Sequence, residues 1–168
     1  MGLGSWLRKA IGGNPGPLAT SSGESVPNPA ATLTASLSFH PCPDVAGTTT
    51  FANDAVADLA DREGLGQRGY FEGQAQLQRD PENPVDPQAV DVLVDGEKVG
   101  CLPAYAAKDF PLPAGASYPV PYQLHVLREQ KLLTKAYVWL GTGAPQWVHT
   151  RENPPALTFR ERINDSHF

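Results

Sequence analysis

The chain has 168 residues, of which 16 are Gly, 17 Pro, 18% charged and 40% hydrophobic. That is enough for one domain with a core of useful size and too little for two, and it excludes collagen, coiled coil and wholesale disorder. Thirteen Lys and Arg against eighteen Asp and Glu leave a net charge of −5, so the protein does not coat nucleic acid by neutralising many phosphates, and any such contact is small and local.

The amino terminus, Met1 to Gly13, carries two cations, but its apolar stretch is too short and broken for a signal peptide. Trp6 stands where the myristoylation pattern wants Ser or Thr. No run reaches the roughly 18 apolar residues of a membrane span. The expectation is a cytoplasmic protein with no membrane partner. Two cysteines, Cys42 and Cys101, make neither a disulfide scaffold nor a four-thiolate zinc site, and a reducing compartment fits them.

Residues 1–32 read as a flexible amino-terminal segment and linker. Positions 12–32 are Gly, Pro, Ser, Asn and Ala with one charge, Glu24, and nothing there buries enough surface to offset chain entropy. Residues 33–39 alternate apolar and polar with period two, the pattern of a half-buried strand, and His40-Pro-Cys-Pro43 ends it. A short helix opens at Asn53 or Asp54, with Ala55, Val56, Leu59 and Ala60 on one face and Gly64 as its stop. Tyr70 to Arg79 is the next strand, with Ala75, Leu77 and Arg79 on one side.

Val90, Val92 and Val94 alternate into Asp95-Gly96, the strongest short-range hairpin signal because a type I′ turn needs positive φ. A helix over 103–110 follows, with Pro103 in its first turn. Residues 120–127 and 134–141 make a last antiparallel pair around Arg128-Glu-Gln-Lys131; His125 and His149 sit in predicted strands as partly buried barrel residues, and Trp139 and Trp147 lie on the terminal strands. Residues 153–168 read as a tail. The architecture is mainly β with one or two short helices, a small OB-like β-barrel over 33–152.

Residues 80–89, Asp-Pro-Glu-Asn-Pro-Val-Asp-Pro-Gln-Ala, stand out between two clear strands. Pro81, Pro84 and Pro87 fix φ at every third residue and hold their predecessors extended. Asn83 and Asp86 each precede a proline, where short polar side chains bond nearby backbone N–H groups. One reading is a rigid turn with Asx-type capping; the other is a preorganised loop presenting an acceptor to a ligand.

The stretch Leu77-Gln-Arg-Asp-Pro-Glu-Asn-Pro-Val-Asp-Pro-Gln-Ala-Val90, its valine strand and Gly96-Glu-Lys-Val-Gly-Cys-Leu-Pro103 resemble the HIRAN domain. That module precedes the ATPase of helicase-like transcription factor and occurs alone in bacterial proteins. With Val45-Ala-Gly47 upstream, the resemblance covers about residues 44–110. It implies a HIRAN-type OB-like barrel that binds a free 3′ end of single-stranded DNA, with Asp86 accepting a hydrogen bond from the terminal 3′-hydroxyl. Such a carboxylate takes a hydroxyl donor and repels a 3′-phosphate.

By position, the resemblance assigns the nucleic-acid contacts to Asn83, Val85, Asp86, Thr49, Thr50, Phe51 and Cys101. Several depart from the family pattern. Val85 replaces an aromatic, Thr49 and Thr50 replace an aromatic and an Arg with Phe51 following at once, Cys101 replaces a His, and Gln88 replaces an Asn. Each lost stacking platform removes about 1–3 kcal/mol per base, which weakens binding.

Other constellations were weighed. Asp86, Asp95, Glu97 and Lys98 miss the spacing of a metal-dependent nuclease site by one residue. His40, Cys42 and Cys101 are three candidate zinc ligands without the usual Cys-x-x-C support. Tyr70, Phe71 and Trp147 are candidate stacking residues, and Arg79, Lys98, Lys108 and Lys135 a weak positive rim. The expected protein is a non-enzymatic DNA-binding module, with a separate helicase or nuclease as a possible protein partner. The alternative is a protein-interaction module on the same barrel with DNA binding lost.

Overall fold

The computed structural model describes residues 41–165. The expected linker, the strand at 33–39 and His40 lie outside the described residues.

Alternating apolar residues set down five antiparallel strands. They are β1 (Arg68–Arg79), β2 (Val90–Val94), β3 (Glu97–Cys101), β4 (Ser117–Arg128) and β5 (Leu132–Val138), with helices α1 (Asn53–Arg62) before them, α2 (Ala104–Asp109) between β3 and β4, and α3 (Phe159–Asp165) after them. The sheet order is β3-β2-β1-β4-β5. At the β2–β3 hairpin, Asp95 and Gly96 take φ of 51° and 83°, the type I′ requirement read from the sequence.

The sheet is a curled half-barrel of the small OB-like kind, mainly β as expected, and residues 41–46 bridge its two edges. Against β5, Val45 N–H donates to Ala136 O at 2.7 Å and Val138 N–H to Pro43 O at 3.2 Å. One residue later the segment changes partner: Ala46 and Cys101 of β3 exchange both backbone bonds, at 2.8 and 3.0 Å. Edge groups that would otherwise stand open are thereby paired. Gly100 makes this crossing possible, because a Cβ there would lie 2.5 Å from Ala46 O and 2.4 Å from Val45 Cγ1.

Inside the curl, Ala75 and Leu77 of β1, Val90, Val92 and Val94 of β2, and Tyr122, Leu124 and Val126 of β4 are buried. Val56, Leu59 and Ala60 of α1 join that core; Ala55, expected on the same face, is half-buried. Arg62 fastens the helix end to the hairpin through Asp95 at 3.1 Å and Glu97 at 3.6 Å.

β4 is buried on both faces from Tyr122 to Leu127. Its outer face, carrying Gln123 and His125, is covered by the irregular stretch 139–158, called the strap below. Gln123 Nε2 donates to His149 O at 2.7 Å, and Trp147 Nε1 to Glu72 at 2.8 Å. Trp139, Trp147 and His149 therefore sit in the strap and not on a strand, because β5 ends at Val138. Residues beyond Asn153, read as a tail, bury Leu157, form α3 and pair Glu161 with Arg68. Pro103 is the N-cap of α2 and not its first helical residue.

Candidate nucleic-acid interface

The loop between β1 and β2 is held by its own short polar side chains. Asp80 Oδ1 accepts the Glu82 N–H at 3.0 Å, Asn83 Oδ1 accepts those of Val85 and Asp86 at 3.0 and 3.2 Å, and Asp86 Oδ1 accepts that of Gln88 at 2.8 Å. These are the Asx-type turns anticipated from the sequence. The Asn83 carboxamide oxygen is occupied in shaping the loop, whereas Asp86 Oδ2 accepts no hydrogen bond among the described residues.

Arg79, at the end of β1, anchors the loop to its surroundings. Its guanidinium donates to the carbonyls of Gln88 (2.7 Å), Ala107 (2.9 Å), Phe110 (3.0 Å) and Leu112 (3.0 Å). This use of the planar fork ties loop, α2 and the following turn to one side chain. Arg79 is therefore an internal brace and not part of a positive rim.

Beneath the loop lies an open groove of about 470 Å³. Asn83, Val85, Asp86, Phe51 and Cys101 all line it, so five of the seven positions singled out from sequence converge. Thr49 and Thr50 do not; they face a neighbouring groove that shares only Phe51 with this one. Val85 is 91% exposed at the loop surface. The Phe51 ring is 60% exposed and rests on Gly47, where any Cβ would lie 2.1 Å from a ring carbon.

Lys98, named from the sequence as part of a weak positive rim, lines this groove, with its Nζ 2.7 Å from Asp91 Oδ1 and 5.3 Å from the Phe51 ring centroid. That arrangement is a cation–π contact beside an ion pair. Lys98 stands opposite Leu93 in the β2–β3 register and reaches Asp91 diagonally past an irregularity at Val92 and Leu93, a placement no local sequence signal announces. Burial raises the Cys101 thiol above its ordinary value, opposed by Lys98 and reinforced by Asp91 and Asp86, so this sulfur is no activated nucleophile.

Other candidates are dispersed. Asp95 and Glu97 engage Arg62 and do not join Asp86. Lys135 lies 3.7 Å from Asp44, and Lys108 is exposed on α2. Among the described residues no group of three His, Cys, Asp or Glu is placed to hold a metal ion, and His40 lies outside them. Tyr70 and Trp147 hydrogen-bond Glu72, and Phe71 packs toward Tyr122; none of the three lines the groove. No helix among the described residues is long and apolar enough to cross a membrane.

Comparison of the chain with protein-family models, curated proteins and solved structures gave no match.

Proposed function

We propose that the protein is a non-enzymatic, HIRAN-like module that binds the 3′-hydroxyl end of single-stranded DNA in the groove beneath the Asp80–Ala89 loop. The observation that carries this reading is the convergence of Asp86, Val85, Cys101 and the exposed Phe51 ring on one groove. Asp86 Oδ2 accepts the terminal hydroxyl, the Phe51 face carries the adjacent base, and Lys98 supplies the nearby cation. Recognition of one end needs few phosphates, which suits a chain of net charge −5.

Low-salt fluorescence anisotropy on a 3′-hydroxyl single strand, its 3′-phosphorylated counterpart and a blunt duplex tests the reading. Tighter binding of the hydroxyl strand, abolished in Asp86→Ala, is the expected result. Equal affinity for the three oligonucleotides removes it.

A second reading, a protein-interaction module that binds through apolar contact, rests on Val85, 91% exposed beside the alkyl groups of Ala46, Ala89, Leu102 and Ala104. A stable protein partner lost on Val85→Asp, with no DNA binding at low salt, favours it.

A further inference from the structure

A second groove, of about 610 Å³, adjoins the first across Phe51, the one residue that lines both. Its walls come from the 49–54 turn, the β4–β5 hairpin and the strap with α3. Their chemistry differs from that of the first groove. Lys131, Lys135 and Arg162 bring three cations, Thr49, Thr50 and Thr134 bring hydroxyls, and Asp54 is the single carboxylate. In a chain of net charge −5 this is a local excess of positive charge.

The cations are not equally committed. Lys135 lies 3.7 Å from Asp44, and Arg162 Nε donates to Thr158 O at 3.4 Å. Lys131 is exposed and forms no ion pair among the described residues. Both cationic walls, the β4–β5 hairpin and α3, lie beyond the 44–110 stretch that carries the sequence resemblance.

We propose that this second groove is the track for the phosphate backbone of a single strand whose 3′-terminal nucleotide occupies the first, with Phe51 as the ridge between them. The inference rests on the 3′-end reading and extends it: the loop groove selects the terminus, and the Lys131–Lys135–Arg162 groove holds the sugar-phosphate chain on its 5′ side. Asp86 acts on one hydroxyl independently of strand length. The cations act on phosphates, so their contribution grows with strand length and falls with salt.

The experiment compares a 3′-hydroxyl dinucleotide with a 3′-hydroxyl strand of about ten nucleotides, within the site sizes of OB-like folds, over a range of salt. The proteins are wild type, the double variant Lys131→Glu/Arg162→Glu and the milder Lys131→Gln. In wild type the longer strand binds more tightly and with a steeper salt slope. The double variant loses about tenfold or more in affinity for the longer strand, and its salt slope falls by about 0.7 for each phosphate contact removed; Lys131→Gln gives a smaller loss in the same direction. Dinucleotide affinity and the preference for hydroxyl over phosphate stay unchanged, which also shows that the variants are folded. Unchanged long-strand affinity and salt slope in the double variant overturn the track while leaving the 3′-end reading intact. A wild-type protein that binds neither oligonucleotide overturns both.

Discussion

Two irregular stretches flank the curled sheet and are kept in place by different means. The Asp80–Ala89 loop is almost wholly exposed and is ordered by local hydrogen bonds from Asp80, Asn83 and Asp86, with Arg79 as its one deep anchor. The strap at 139–158 carries local bonds of its own, from Thr150 to the Asn153 N–H and from Glu161 to the Leu157 and Thr158 N–H groups, and adds to them the burial of what it covers. His125 is 2% exposed and Gln123 fully buried beneath it, with the His125 ring 5.0 Å from Tyr70, 6.3 Å from Tyr137 and 6.4 Å from His149. A loop ordered by its own bonds can keep its surface polar and available to a ligand. A strap ordered also by burial leaves polar atoms such as His125 Nε2 without partners and makes stability depend on their protonation.

The comparison can be broken most severely at the sheet closure that supports both stretches. Gly100→Ala forces a Cβ against Ala46 O and should cost about 3 kcal/mol or more, read as a lower urea midpoint; a loss under about 1 kcal/mol would mean that the crossing segment can move aside.

Arg79→Ala comes next. Four carbonyls lose a charged donor, and a destabilisation of about 2–4 kcal/mol is expected, together with faster amide exchange in the loop. Unchanged exchange there would show that the Asx turns hold the loop unaided.

The strap predicts a pH effect of about 2–3 kcal/mol. Burial, with His149 and Arg68 nearby, lowers the His125 pKa from 6.5 to about 4. As pH falls, the unfolded chain takes up this proton before the folded one. Stability present above pH 6.5 is therefore lost progressively down to about pH 4 and levels off below. Lowering of His149 by its own burial acts in the same direction. Urea titrations across this range should show the slope, and His125→Phe should flatten it; an equally steep slope in that variant would place the effect on other groups.

The smallest expected change in stability, under about 0.5 kcal/mol, belongs to Phe51→Ala. Its ring is 60% exposed, so thermal unfolding should barely shift while single-strand affinity falls about tenfold, the loss of one stacked base. An equal loss of both would make Phe51 a packing residue.

Most of the regular elements were legible because their signals are local. The valines of β2, the Asp95-Gly96 turn and the apolar stripe of α1 each specify their structure within a few residues. The loop site was legible for the same reason, as its Asx turns and prolines act over two or three positions. What escaped depends on distant partners. The carbonyls bonded by Arg79 include those of Ala107, Phe110 and Leu112, all beyond the β2–β3 hairpin. His125 was expected to be partly buried and is; the burial of Gln123 on the same face escaped, because its polar identity imitates a solvent-facing register and only the strap makes that face internal. Residues 41–46 close both edges of the sheet through backbone bonds to Ala136, Val138, Leu140 and Cys101, yet Pro41 and Pro43 give them a composition that reads as the end of a strand and not as a closure. The 3′-end contact itself came from resemblance, and its chemistry is what the Asp86 experiment examines.

Closure at residues 41–46 also joins parts of the chain that are far apart in sequence. The bonds join Val45 to Ala136 and Pro43 to Val138, ends of the described chain that synthesis produces far apart in time. Until β5 has emerged and paired with β4, the first segment has no partner on that side. Forming these contacts is a long loop closure, of the kind that places β-rich domains among the millisecond-to-second folders. A ribosome-bound chain lacking β5 would carry β4 as a bare edge, the form most exposed to pairing with another chain.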